Sequence, residues 1–167
     1  EAQRIFNIDK KKFRILIHPK SYVHAIIKFN NGLVKFLAHD THMKIPIFNS
    51  IYFNKNKKIH SKQLNIKVLN NLELSKPNIN QFPVLNILKM IPDKISLFET
   101  ILVSANDELV NFYLEGKIKY TDIYENLIKI IKMKVFKRYL NISPKNIDQI
   151  SKLMKEVRLK CKDLCIV

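Results

Sequence analysis

Residues 23–37 read Val-His-Ala-Ile-Ile-Lys-Phe-Asn-Asn-Gly-Leu-Val-Lys-Phe-Leu and contain two apolar runs on either side of a turn signal. The Asn-Asn-Gly sequence at 30–32 predicts a tight turn, because Asn and Gly tolerate the positive φ that β-hairpins require. Side chains alternate across a strand, so His24 is expected on the face opposite Val23 and Ala25. The segment therefore predicts an antiparallel hairpin.

The residues on either side of this hairpin differ in character. Residues 13–18 alternate, with Phe13, Ile15 and Ile17 on one face, and predict one more strand. Residues 52–80 are rich in Lys, Asn and turn-forming residues. We therefore expect a small piece of sheet followed by a connection.

Beyond residue 78 the apolar residues recur at the three- and four-residue steps of helices. The predicted helices are Pro83 to about Met90, Ser104 (as a cap) to about Leu114 with Gly116 closing it, Thr121 (as a cap) to about Ile131, and Ser143-Pro144 to about Leu164. Four helices with short loops favour a small bundle. The expected fold class is α+β, an antiparallel sheet fragment followed by a four-helix bundle-like domain.

The chain is strongly basic, with 30 Lys and Arg against 14 Asp and Glu and a formal net charge of +16. This excess is spread along the whole sequence, and only four of the basic residues are Arg, the residue that most often reads base edges. Lys, Asn and Ile are abundant, which is typical of AT-rich codon usage. Nucleic acid is therefore not expected as a partner. Nor is a membrane, since no apolar run reaches the roughly 18 residues of a spanning helix.

The densest group of reactive side chains is His-Pro-Lys-Ser-Tyr-Val-His at residues 18–24. Ser21 and His24 stand at the start of a predicted strand, where a hydroxyl and an imidazole can hydrogen-bond a polyol phosphate. The alternative is that the histidines are structural, since His is common at half-buried positions near turns. The residues alone leave both interpretations open.

Two further groups contain metal-ligand residue types. The His-Asp-Thr-His run at 39–42 has two histidines three residues apart, but no third ligand is marked in the sequence. Cys161 and Cys165 share one helix face and lack a Cys-x-x-Cys turn or further ligands nearby, so two packed thiols in a reducing compartment are expected. No residue is therefore assigned to a metal.

Several motifs occur in the order and at the spacing of one enzyme family. Residues 17–27, Ile-His-Pro-Lys-Ser-Tyr-Val-His-Ala-Ile-Ile, resemble its His-Pro-Gln-Ser-x-Ile-His-Ser-Met-Val signature. Residues 43–47, Met-Lys-Ile-Pro-Ile, resemble its Asp-Met-x-x-Pro-Ile segment, and the agreement continues at 82–85, 104–108 and 116–123. On these motifs the chain resembles the 1-deoxy-D-xylulose-5-phosphate reductoisomerases.

The resemblance implies an NADPH-dependent oxidoreductase and isomerase of the non-mevalonate route to isoprenoids. The family converts 1-deoxy-D-xylulose 5-phosphate to 2-C-methyl-D-erythritol 4-phosphate with NADPH and Mg²⁺ or Mn²⁺, and a homodimer is expected. By this resemblance residues 1–52 are the end of the central catalytic and dimerisation domain, 53–78 a connecting segment and 79–167 the C-terminal helical domain. The cofactor domain and metal ligands would precede residue 1, so neither cofactor is expected to bind this chain alone.

Few of the family's active-site positions map onto this chain. The resemblance implies that His24 is catalytic and contacts the sugar-phosphate substrate, with Ser21 beside it and Met43 lining the pocket. No cofactor-binding or metal residue maps onto the chain. The family has Pro-Asp where residues 41–42 are Thr-His, and Asn where this chain has Ser104.

Two other functions stay open. One is a diverged, non-catalytic scaffold or dimerisation fragment of the same fold, and the other, on the basic charge of the chain, is a nucleic-acid-binding domain. The Lys, Asn and Ile enrichment is similar to that of parasite plastid members of the family. The expected location is therefore a non-photosynthetic plastid of the apicoplast type.

The 167-residue chain alone is expected to show no reductoisomerase activity and no measurable NADPH affinity. The sequence marks neither a Gly-rich phosphate loop nor a set of metal carboxylates, so neither a hydride donor nor a Lewis acid would be positioned. The measurement is NADPH oxidation by the purified chain. Oxidation that depends on the sugar phosphate would contradict the prediction.

Overall fold

The computed structural model describes residues 2–165, apart from the side chain of Arg4. Its contacts divide the chain into two compact units, with the boundary between Pro77 and Asn78. A β-hairpin organises the first unit, and a cluster of buried apolar side chains organises the second.

The first unit combines a small sheet with short helices. Its elements are α1 (Ala2–Phe6), a 3₁₀ turn (Lys10–Lys12), β1 (Val23–Lys28), β2 (Val34–Ala38), α2 (Lys44–Ile51) and α3 (Ile66–Asn70). β1 and β2 pair antiparallel. No helix is predicted from the sequence where α2 forms. Pro46 lies in the first turn of α2, where proline is tolerated.

The turn between β1 and β2 closes as the Asn-Asn-Gly sequence predicts. The Phe29 N–H donates to the Leu33 carbonyl at 2.8 Å, and the Gly32 N–H donates to the Phe29 carbonyl at 3.1 Å. Gly32 has a φ of 86°, a left-handed value that glycine adopts without steric cost. The hairpin prediction is confirmed.

One extra residue interrupts the pairing at the start of β1. Val23 pairs with Ala38 and Ala25 pairs with Leu37, so β1 advances two residues where β2 advances one. A β-bulge of this kind bends the strand and re-aims a side chain. Val23 and Ala25 are nevertheless half-buried and His24 is exposed, in agreement with the expected placement of His24 opposite these two residues.

The strand predicted at residues 13–18 is reduced to a single bridge. The Ile17 N–H donates to the Ser75 carbonyl at 2.8 Å, and the Ser75 N–H donates back to the Ile17 carbonyl at 3.0 Å. The next contact is made by a side chain, because the Nδ1 of His18 lies 2.5 Å from the Leu72 carbonyl oxygen. A ladder of backbone bonds does not continue past that point.

Residues 62–75 also make other hydrogen bonds to the hairpin region. The Lys62 N–H donates to an Asp40 carboxylate oxygen at 2.9 Å, and the Asn65 N–H donates to the Tyr22 hydroxyl at 3.4 Å. The segment that composition marks as a connection thus forms part of the first unit up to its boundary.

The second unit is helical. Its elements are a 3₁₀ segment (Pro83–Lys89), α4 (Phe98–Leu114), α5 (Tyr120–Ile131), a second 3₁₀ segment (Lys134–Asn141) and α6 (Ile147–Cys165). Its core consists of Ile87, Leu97, Phe98, Ile101, Ala105, Leu109, Phe112, Leu127, Ile130, Ile131, Phe136, Leu153, Val157 and Cys161. The predicted α+β class, a sheet fragment followed by a bundle-like helical domain, is confirmed. Across residues 2–165, no helix has the length and apolar character needed to cross a bilayer.

Helix α4 begins at Phe98 rather than at Ser104. The Ser96 N–H and hydroxyl both donate to the Glu99 carboxylate, at 3.1 and 2.9 Å, and the Phe98 N–H donates to the Ser96 hydroxyl oxygen at 3.2 Å. The Ser-x-x-Glu sequence at 96–99 is the signature of such a capping arrangement. Ser104 is 1% exposed inside α4, so the prediction that it caps a helix is wrong.

At the start of helix α5 the capping contact is made by the acidic side chain of Asp122 and not by the predicted Thr121. The Lys119 N–H donates to an Asp122 carboxylate oxygen at 2.9 Å. The negative charge of a carboxylate is stabilised near the positive end of the helix dipole, and an uncharged threonine hydroxyl is stabilised less.

Helix α6 likewise begins later than the Ser143-Pro144 pair suggests. Asn146 provides the cap, because its side-chain oxygen accepts from the Gln149 N–H at 2.9 Å. The Ser143 hydroxyl instead donates to the Ile95 carbonyl at 2.9 Å. It therefore fixes a loop and not a helix start.

Gly116 ends α4 as predicted. It has a φ of 73°, its N–H donates to the Tyr113 carbonyl at 3.0 Å, and the Lys117 N–H donates to the Phe112 carbonyl at 2.8 Å. This pair of bonds satisfies carbonyl groups at the helix end and requires a left-handed residue between them.

The two thiols lie on α6 in different environments. Cys161 is free and fully buried, and burial raises the pKa of its thiol to about 12. Cys165 is free and half-buried, and burial is again the main cause that raises its pKa. The Asn126 amide donates to the Cys165 sulfur at 3.5 Å. Both thiols are thus packed into the helical unit.

Replacing Gly116 by Ala is expected to destabilise the protein by about 1 kcal/mol. An added Cβ would meet no atom within 4 Å, so the cost comes from the backbone conformation alone. Gly116→Asn is the matched control, because Asn tolerates the left-handed region and should cost less. Chemical denaturation measures both changes. Equal losses for the two variants would show that the left-handed φ is not the cause.

The Cys161 thiol is expected to be protected from alkylation in the folded protein, while Cys165 reacts. The unfolded thiol ionises near its ordinary pKa and the buried one does not. The free energy of unfolding should therefore fall as pH rises from about 9 towards 12. Mass spectrometry of alkylated peptides tests the first expectation, and denaturation of Cys161→Val across this pH range tests the second. Equal labelling of the two cysteines would contradict the prediction.

Candidate functional site

Ser21 lies in a tight turn just before β1. Its N–H donates to the His18 carbonyl at 2.9 Å, and its φ is 47°. A non-glycine residue in this left-handed region costs on the order of 1–3 kcal/mol, and such strain concentrates at functional sites. Ser21 is exposed, so its hydroxyl is open to a ligand.

His24 is exposed in the bulge, and His39 holds its ring. The two imidazoles stack with their centroids 3.7 Å apart and their planes 10° apart. The Nε2 of His24 lies 3.3 Å from the His39 carbonyl oxygen. The His24 ring is therefore oriented even though solvent reaches it.

His39 is itself anchored at the end of β2. Its N–H donates to the Tyr22 carbonyl at 3.1 Å, and its Nδ1 lies 2.6 Å from the Asp40 carbonyl oxygen. From the sequence, His39 is described only as a metal-ligand residue type, and its contact with His24 is not predicted. A signal exists, because a hairpin that closes at Gly32 brings residue 39 beside the residues that begin β1.

Met43 immediately precedes α2 and is 70% exposed. A short turn leads to it, in which the His42 N–H donates to the Asp40 carbonyl at 2.7 Å and the Ile45 N–H donates to the His42 carbonyl at 3.1 Å. A flexible, exposed thioether is suited to line a pocket that other residues complete.

A polar cavity of about 210 Å³ lies in the same part of the first unit. It is lined by Lys20, Tyr22, Asp40, Thr41, His42, Lys62, Gln63, Asn65 and Val68. Ser21, His24 and Met43 do not line it, although each lies within two residues of one that does. The three predicted site residues thus lie at one end of the hairpin and on an open surface, and the structure brings His24 into contact with His39.

The described residues do not supply a metal or nucleotide site. Across residues 2–165, no group of three or more His, Cys, Asp or Glu side chains is placed to hold a metal ion. The chain has two glycines, Gly32 in the hairpin turn and Gly116 at a helix end, so a glycine-rich phosphate loop cannot be built from it. The described residues therefore contain neither a cluster of three metal-ligating side chains nor a glycine-rich phosphate loop.

Comparison with known proteins gives one consistent family. The model of the DXP reductoisomerase C-terminal domain matches residues 39–160. A 1-deoxy-D-xylulose 5-phosphate reductoisomerase from Pelagibacter ubique is 54% identical over 166 residues, which cover 99% of this chain and 43% of the relative. One from Persephonella marina is 31% identical, covering 93% of this chain and 40% of the relative. The chain thus spans about two fifths of the length of these relatives.

Solved structures give the same result for the fold. A crystal structure of DOX-P reductoisomerase in complex with NADPH, fosmidomycin and magnesium superposes with a TM-score of 0.85 at 21% identity, covering 97% of this chain and 41% of that chain. The Zymomonas mobilis enzyme in complex with NADPH gives a TM-score of 0.79 at 22% identity, covering 98% and 42%. At this identity the likeness concerns the fold.

The relatives also correct the expected location. Pelagibacter ubique, the source of the relative with 54% identity, is a bacterium. The prediction of a plastid of the apicoplast type is therefore wrong. Its basis was the enrichment in Lys, Asn and Ile, which reflects AT-rich codons and is shared by bacterial and plastid genomes of that composition.

Proposed function

Because the chain belongs to the 1-deoxy-D-xylulose 5-phosphate reductoisomerase family, we propose that it is the C-terminal portion of such an enzyme. The intact enzyme would convert 1-deoxy-D-xylulose 5-phosphate to 2-C-methyl-D-erythritol 4-phosphate, a step of the non-mevalonate route to isoprenoids. The observation that carries the proposal is the 54% identity over nearly the whole chain to a relative of that name.

NADPH and a divalent metal would be the cofactors of the intact enzyme. A related solved structure is a complex with NADPH and magnesium, and residues 2–165 of this chain contain no group of three or more metal-ligating side chains. When bound, NADPH supplies the hydride and the metal polarises the substrate oxygens. The proposal therefore assigns to this chain the contacts that orient the sugar phosphate.

The proposed substrate contacts are His24, Ser21 and Met43. Ser21 offers a hydroxyl at a strained turn, and the His24 imidazole offers ring nitrogens that can hydrogen-bond the substrate. Both residues are exposed. Met43 would cover the apolar part of the substrate with its exposed thioether.

The domain assignment follows the same proposal. Residues 1–52 would be the end of the central catalytic and dimerisation domain, 53–78 a connecting segment and 79–167 the C-terminal helical domain. The boundary of the two compact units, after Pro77, supports a division close to residue 78.

A homodimer is proposed from the surface of the hairpin. Large apolar side chains of both strands and their turn are exposed, namely Ile26, Ile27, Phe29, Leu33, Val34, Phe36 and Leu37. A two-stranded hairpin is marginal alone in water, and apolar patches of this kind mark interfaces. The remaining sheet of the intact enzyme and a second copy would cover this surface.

His24→Ala in the intact enzyme is expected to lower kcat/KM by roughly 30- to 1000-fold, which corresponds to about 2–4 kcal/mol in the transition state. The loss of a contact to the reacting substrate is the reason. Steady-state kinetics and the melting temperature are measured together. His60→Ala is the matched control, because it removes another exposed histidine of the same unit.

A change below about threefold for His24→Ala would contradict the catalytic role and leave a structural one. An intact wild-type protein without any reductoisomerase activity would instead favour the non-catalytic scaffold. The two failures are distinguishable because the second concerns the wild type.

A further inference from the structure

We propose that His39 is a positioning residue for His24, through its ring and its backbone carbonyl. The ring would fix the plane of the His24 imidazole, and the carbonyl would fix which nitrogen carries the proton. This inference rests on the proposed function, in which His24 contacts the substrate.

The ring contact is the first step. A centroid separation of 3.7 Å and an interplanar angle of 10° place the two imidazoles face to face. His24 is exposed, so few other groups restrict its rotation about the Cα–Cβ and Cβ–Cγ bonds. A stacked neighbour supplies that restriction, and a reacting group held in one orientation loses less entropy when the substrate binds.

The carbonyl contact determines the tautomer. The His39 carbonyl oxygen, 3.3 Å from the Nε2 of His24, accepts hydrogen bonds and cannot donate them. The neutral His24 ring in this arrangement therefore carries its proton on Nε2. Its Nδ1 is left with the lone pair, and Nδ1 is the atom that would accept a proton or a hydrogen bond from the substrate.

His39 can do this because it is held from several sides. Its N–H donates to the Tyr22 carbonyl, and its Nδ1 lies 2.6 Å from the Asp40 carbonyl, so that nitrogen carries the His39 proton. The Asp40 carboxylate in turn accepts from the Lys62 N–H at 2.9 Å. Hydrogen bonds thus connect the His39 residue, whose ring orients His24, to the hairpin and, through Asp40, to Lys62.

The kinetic test uses the intact enzyme with two substitutions at one position. His39→Ala removes the ring and is expected to lower kcat/KM about tenfold, because the His24 ring becomes free to turn. His39→Phe retains an aromatic face without a titratable nitrogen and is expected to recover kcat/KM to within about threefold of the wild type. If both variants lose activity equally, the stack is not the cause and the ring part of the proposal is overturned.

A double mutant shows whether His39 acts through His24. His24→Ala combined with His39→Ala is expected to have the same kcat/KM as His24→Ala alone, to within about twofold, because a positioning residue has nothing left to position. Additive losses in the double mutant would mean that His39 acts independently, and they would overturn the proposal.

The tautomers of His24 and His39 can be measured independently of enzyme activity. Nitrogen-15 NMR of the wild-type imidazoles near neutral pH is expected to show His24 protonated on Nε2 and His39 protonated on Nδ1. The opposite tautomer at His24, or an equal mixture, overturns the carbonyl part of the proposal. This measurement also decides the question if His39→Ala lowers the melting temperature too far for kinetics. If His24→Ala leaves kcat/KM unchanged, the proposed function of His24 fails, whereas the stack and tautomer remain testable by NMR.

Discussion

Backbone hydrogen bonds between β1 and β2 set the register of the hairpin, and the bulge at its start adds one residue to that register. This arrangement brings His24 against His39, while the His39 N–H continues the pairing to the Tyr22 carbonyl. A shift of one residue in a strand moves its side chains to the other face. The geometry of the candidate site therefore depends on backbone pairing more than on side-chain packing.

Features that a few neighbouring residues determine were predictable from the sequence. The hairpin turn and the end of α4 follow from Gly32 and Gly116, because glycine adopts the left-handed backbone that each position requires. The helical unit follows from the spacing of apolar residues, since a buried face recurs every three or four positions. The family motifs carry the same kind of local information, and they indicated the family that the relatives show.

Features that depend on distant partners were not predictable in the same way. Ser104 has a residue type common at helix starts, but it packs inside α4 because a small side chain fits there. The bulge at His24 and the stack with His39 arise from pairing between two strands, and the sequence of either strand alone does not contain them. The lysine-rich connection looked solvated, yet its backbone bonds to Asp40 and Tyr22.

The contacts between residues 62–75 and the hairpin region also bear on the order of folding. The bond between Asn65 and Tyr22 spans 43 residues of chain, and the contact between Leu72 and His18 spans 54. Closing such long loops costs chain entropy before the contacts that compensate for it can form. The short turn between α4 and α5 costs much less entropy to close. The packing of α4 against α5 is thus able to form from contacts close in sequence, while the surroundings of Ser21 and His24 acquire their final form late. Damage to residues 62–75 would then affect Ser21 and His24 by delaying the folding of their surroundings, without changing a single atom of either residue.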